Sequence, residues 1–178
     1  TVFLVDGFNL YHSLVSAQSR LQSQSTKWLN LKSLCESFLP IAGRLSGTRA
    51  TLVAIYYFSA PPTHKSMDKQ QRHKLYMDCL RTFGVIVELG RFKKKVRRCY
   101  NCGSSLSLYE EKETDVAISA RLFDVCHRNA ADTIILTTGD TDLAPAVRLC
   151  KKLFSKNSFC SPFPTSEPIA VSYTHLTL

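Results

Sequence analysis

Four short, continuous apolar runs, each followed by an amphipathic stretch, constrain the fold of this chain more than any other feature. The runs are Val2–Val5, Thr51–Phe58, Val85–Leu89 and Thr133–Thr138, all rich in β-branched or aromatic residues. Apolar runs without polar alternation mark strands covered on both faces. Stretches with helical apolar spacing lie at Asn9–Ala17, Leu31–Leu45, Thr63–Phe83, Thr114–Ala130 and Thr141–Phe154. Strand and helix in alternation predict parallel β-α-β units with right-handed crossovers, hence an α/β fold around a central parallel sheet. A chain of 178 residues can bury a core of that kind as one domain without disulfide staples.

Two segments interrupt the alternation. Ser19–Lys27 is polar and reads as a loop, and 91–109 is a basic stretch with a Cys-x-x-Cys turn inserted between the third strand and the next helix. Asn157–Phe163 is expected as a fifth, edge strand, limited by Pro162 and Pro164. The domain is therefore set at residues 1–154, with 155–178 expected to be a truncated or non-native tail. Thr1 falls inside a strand, so an earlier segment is expected to be missing.

The first and last apolar runs end alike. Val-Phe-Leu-Val runs into Asp6-Gly7-Phe8-Asn9, and Ile-Ile-Leu-Thr-Thr runs into Gly139-Asp140-Thr141-Asp142. Ligands collect at the carboxyl ends of the strands in an open parallel sheet, so acids from opposite ends of the sequence can meet there. Asp115 adds a third point: with Ile118, Leu122 and Val125 it follows helical three-four spacing, which turns it toward the sheet. Each acid alone has a plainer role, Asp142 and Asp115 as helix N-terminal residues and Asp6 in a turn. Together they suit a hard divalent cation, Mg²⁺ or Mn²⁺, which prefers oxygen ligands. Asn9, one turn past Asp6, could add a carbonyl or orient substrate.

The formal net charge of +9 points to a polyanionic partner. Its densest source is Arg91, Lys93, Lys94, Lys95, Arg97 and Arg98, a strip suited to phosphates, with Phe92 or Tyr100 available to stack on an unpaired base. A solvated basic loop is the plainer alternative. Cys99 and Cys102 have the spacing of a zinc knuckle, but Zn²⁺ needs four ligands. Cys79, His73, His127 and Cys126 could complete such a site, a second chain in a homodimer could, or the pair could be reduced thiols. An odd total of seven cysteines in an α/β pattern fits a reducing, cytoplasmic setting. No run is apolar and long enough to span a bilayer, so no membrane partner is expected.

Phe3-Leu4-Val5-Asp6-Gly7-Phe8-Asn9-Leu10, Glu110-Glu111-Lys112-Glu113-Thr114-Asp115-Val116 and Thr138-Gly139-Asp140-Thr141-Asp142-Leu143 stand in the order seen in NYN-domain proteins. The chain resembles that family, part of the PIN-like nuclease superfamily, over about residues 2 to 154. The resemblance implies a three-layer α/β/α sandwich and metal-dependent hydrolysis of single-stranded RNA by an activated water. It also implies Asp6, Asp115, Asp140 and Asp142 as metal ligands with Asn9 as a polar helper. Some relatives carry a further acid in the helix after Asp115, where this chain has Arg121; that cation is expected against the scissile phosphate. An RNA-binding module that no longer cuts is the alternative on the same fold.

Overall fold

In the computed structural model, which describes residues 1–21 and 28–160, the apolar runs form one sheet. Its strands are β1 (Val2–Asp6), β2 (Ala54–Ser59), β3 (Ile86–Leu89), β6 (Thr133–Thr137) and β7 (Ser158–Cys160). They lie in the order β3-β2-β1-β6-β7, all parallel. The remaining strands, β4 (Arg91–Arg98) and β5 (Ser105–Lys112), form a separate antiparallel hairpin.

Side chains on β1 alternate between two cores. Val2 and Leu4 pack with Ile118, Leu122 and Val147, which come from α5 (Thr114–His127) and α6 (Ala144–Leu153). Phe3 and Val5 face the opposite way, among residues of α1 (Gly7–Leu21), α2 (Leu31–Ser37), α3 (Leu39–Ser46) and α4 (Met67–Thr82). Helices on both faces make the expected α/β/α layering. The period of two also turns Asp6, the last residue of β1, toward the α5 layer that carries Asp115.

Strand order reverses at β1. From β1 the chain proceeds outward to β2 and β3, then returns to lay β6 on the other side of β1. A crevice opens at the carboxyl ends of β1 and β6, where crossovers leave in opposite directions.

Several boundaries differ from the sequence reading. Helix α1 starts at Gly7 and runs to Leu21, so the start of the expected Ser19–Lys27 loop is helical; residues 22–27 lie outside the described residues. The expected Leu31–Leu45 helix is two helices broken at Phe38, because Pro40 in the first turn of α3 lacks the N–H a continuous helix needs. Helix α4 starts at Met67 rather than Thr63, since the Pro61-Pro62 segment folds into turns with Thr63 N and Lys65 N bonded to the two proline carbonyls. The edge strand is present as Ser158–Cys160, paired with β6, and its expected remainder and the tail from 161 lie outside the described residues.

The largest difference is the hairpin. The basic insertion at 91–109 was assigned no strands; it pairs in register from Arg91 opposite Lys112 to Arg98 opposite Ser105. Phe92 and Val96, at even spacing within the charge run, are the strand signal that the lysines and arginines obscure. Gly90 sits where the hairpin leaves the sheet, and a Cβ there would stand 2.6 Å from the Lys112 carbonyl. Among the described residues no helix is long and apolar enough to cross a membrane.

Candidate active site

Asp6 is 3 % exposed and heavily hydrogen-bonded. Its Oδ1 accepts from the backbone N–H groups of Phe8 (3.0 Å) and Asn9 (3.1 Å), capping α1. Its Oδ2 accepts from Asn9 Nδ2 and from Thr138 Oγ1, the latter at 3.0 Å. Asn9 in turn accepts the Gly139 N–H through Oδ1 at 3.2 Å. The first motif is thus bonded to the last across 130 residues of sequence.

The β6 end is fixed by the same network. Thr138 Oγ1 accepts the Asp140 N–H at 3.1 Å, and Asp140 Oδ1 accepts the Asp142 N–H at 2.9 Å. Asp142 therefore lies in a single 3-10 turn, Thr141–Leu143, ahead of α6 rather than in the helix proper. Asp140 is partly buried and Asp142 is exposed at that turn.

Asp115 comes from the third direction. Burial comes first, and the charges of Asp140, Asp6, Glu111 and Asp142 follow, in raising its carboxyl above the ordinary aspartate range. Four acids acting on a fifth place all of them in one electrostatic neighbourhood. Glu111 was not among the expected site residues. It lies at the base of the hairpin, accepts the Thr114 N–H at 3.1 Å and the Thr114 hydroxyl, and so caps α5 beside Asp115.

This donor set fits a divalent cation in chemistry: oxygen ligands only, with repulsion that a positive ion relieves. In the present side-chain positions no three Cys, His, Asp or Glu groups among the described residues converge closely enough to hold an ion. Both oxygens of Asp6 accept hydrogen bonds, and Asp140 commits one oxygen to capping the Asp142 N–H.

Thr138 is the functional residue that sequence reasoning missed. It is 4 % exposed and bonds both Asp6 and Asp140. A hydroxyl two residues before an aspartate whose N–H it accepts is a recognisable local turn, so the signal was present. Thr138→Val, of the same shape, removes both bonds. It is expected to cost about 1–3 kcal/mol of stability and to lower any cleavage by about 10–100-fold. Thr138→Ser keeps both bonds; urea melts and turnover that do not separate the two variants would refute the role.

The expected phosphate contacts divide on inspection. Arg91 pairs with Glu113 at 2.6 Å, while Lys95 (3.1 Å) and Arg97 (3.9 Å) share Glu110 with Lys112. Lys93, Lys94 and Arg98 make no ion pair among the described residues, though Arg98 Nε donates to the Gly103 carbonyl at 3.2 Å. Arg121, expected at the phosphate, has its guanidinium on Glu88 (2.7 Å) and Asp124 (2.9 Å), above the Tyr56 ring. It sits about 9 Å along α5 from Asp115 by helical rise.

Cys99 and Cys102 occupy the exposed hairpin tip, with Cys102 Sγ 2.9 Å from Ser104 Oγ. Of the suggested completing ligands, His73 bonds Ser59, His127 stacks on Phe123, Cys126 is buried beside Cys150, and Cys79 is an exposed thiol on α4. No zinc cluster is assembled among the described residues.

A mostly parallel α/β domain with acids gathered at its strand-order reversal is the class this fold and site define. The chain belongs to the NYN domain family, whose model matches residues 1–168. That family is generally nuclease-like, of the PIN-like kind. Among solved structures, a Vibrio parahaemolyticus protein of unknown function is similar in fold, with a TM-score of 0.50 and 17 % identity over 90 % of this chain and 78 % of that one. No curated protein matches the chain.

Proposed function

We propose that the protein is a metal-dependent ribonuclease that hydrolyses phosphodiester bonds of single-stranded RNA in a reducing, cytoplasmic setting. The observation that carries this reading is the gathering of Asp6, Asp140 and Asp142 at the sheet's switch point, with their charges reaching Asp115, beside a basic hairpin. Mg²⁺ or Mn²⁺ held by these carboxylates would acidify a water and offset negative charge building on phosphorus.

The chain's own groups do the rest. Lys94, on the hairpin face that carries Phe92 and Glu111, brings the RNA backbone to the crevice, and its effect weakens with salt. Asn9, fixed at both ends by Asp6 and Gly139, holds the Asp6 carboxylate in one orientation while its neighbours respond to substrate. Such preorganisation lets the site meet developing charge without reorganising.

The rival reading is retention of RNA without cutting. One experiment separates the two. Labelled single-stranded RNA is incubated with the protein in Mg²⁺ or Mn²⁺, with excess EDTA, and with Asp140→Asn, which keeps the oxygen that caps Asp142. Cleavage is expected only with the parent protein and free metal. Cutting that persists in EDTA, or equal cutting by Asp140→Asn, would remove the metal-site assignment; binding without cutting in any condition would establish the rival.

A further inference from the structure

Directly opposed residues of an antiparallel pair share a face. Phe92 lies opposite Glu111 and Lys94 opposite Tyr109, so these four side chains form one face of the hairpin. That face looks toward the acids. The Phe92 ring meets Phe8 edge-on at 5.8 Å, two residues past Asp6, and Glu111 caps the helix that bears Asp115.

His64, from the loop before α4, completes the face. Its ring lies nearly parallel to Tyr109, at 12° with centroids 4.5 Å apart, and edge-on to Phe92 at 4.5 Å. His64 Nδ1 is covered and has no hydrogen-bond partner, the single such side-chain atom among the described residues. A covered nitrogen costs less as a bare lone pair than as an unpaired N–H, which favours the tautomer with its proton on Nε2. Burial, then Lys65, lowers its pKa.

The result is a pair of stacked rings with Tyr109 still 43 % exposed and Lys94, which makes no ion pair among the described residues, beside it. Aromatic faces interleaved with cations are how proteins grip unpaired nucleic acid. Tyr100, by contrast, is fully exposed at the hairpin tip, and the Phe92 ring lies beneath the platform. We propose that His64 and Tyr109 form a stacking subsite for one unpaired nucleobase, seated beside the phosphate that reaches the carboxylates. This rests on the single-strand RNA reading above.

The test measures equilibrium binding of a fluorescein-labelled oligoribonucleotide in Ca²⁺, supplied in place of Mg²⁺, to the parent, Tyr109→Phe, Tyr109→Leu and His64→Ala proteins. A set of the same oligonucleotide with one abasic residue walked along it completes the series. Tyr109→Leu is expected to weaken binding by about tenfold and Tyr109→Phe to leave it within about twofold. At one position, base removal should weaken the parent about as much as Tyr109→Leu does, with no added loss when the two are combined. Additive losses at every position, or a Tyr109→Leu protein that binds and melts like the parent, would overturn the subsite while leaving the RNA reading intact. Absence of RNA binding by the parent would instead remove the RNA reading on which the subsite rests.

Discussion

An Asp115→Asn protein is expected to melt at or above the parent's temperature while losing at least about 10³-fold of its RNA cleavage. The residue is exposed overall, but partial desolvation and then the charges of Asp140, Asp6, Glu111 and Asp142 disfavour the carboxyl's charged form. A group whose folded-state pKa is raised stabilises least when ionised: stability falls as pH climbs from the unfolded value through the folded one. At neutral pH the ionised Asp115 therefore opposes folding, and an amide of the same shape removes that opposition. Function needs the charge that stability does not. Thermal melts without divalent metal, beside single-turnover cleavage in Mn²⁺, measure the two effects. A clear drop in melting temperature would show Asp115 to be a structural cap, and undiminished cleavage would remove it from the site.

Gly7→Ala is expected to damage stability and activity together. A Cβ at Gly7 would stand 2.6 Å from the Phe58 carbonyl oxygen and 2.6 Å from the Tyr57 ring. Phe58 is held in the register of β2 against Asp6, and Tyr57 is buried in the core, so neither can retreat. Relief requires parting β1 from β2 where Asp6 caps α1. Overpacking of this kind costs about 3 kcal/mol, a fall of about 6–12 °C for a domain this size. Gly139→Ala is the contrast: its Cβ would meet only the Asn9 side-chain oxygen, at 3.3 Å. Urea unfolding should separate the two by about 2 kcal/mol; equal stabilities would show that the close approach at Gly7 is not limiting.

The motif residues were legible because local rules specify them. Continuous apolar runs ending in Asp-Gly or Gly-Asp could be placed at strand ends from sequence alone. Helical spacing placed Ile118, Leu122 and Val125 in the core, whereas Asp115, expected on the same buried stripe, is exposed at the first turn, where the stripe runs past the edge of the core. The hairpin was not legible, since lysines and arginines fill all but two of the positions 91–98, Lys94 and Arg98 included, and hide the two-residue period carried by Phe92 and Val96. Nor was the fate of Arg121, because its partners Glu88 and Asp124 are chosen by packing between β3 and α5. Thr138 lay in plain view, but its importance depends on Asp6 being 132 residues away in sequence and 3.0 Å away in space.

Sequence by itself determined the alternation of strand and helix, the acids at the strand ends and the basic strip, since each depends on periodicity or composition within a short window. Only tertiary structure decided which of those charges remain available. The hairpin's register ties Arg91, Lys95 and Arg97 to acids, and the docking of its other face against Phe8 brings Tyr109 beside His64. Pairings across long sequence separations follow from register and packing, which no local pattern encodes.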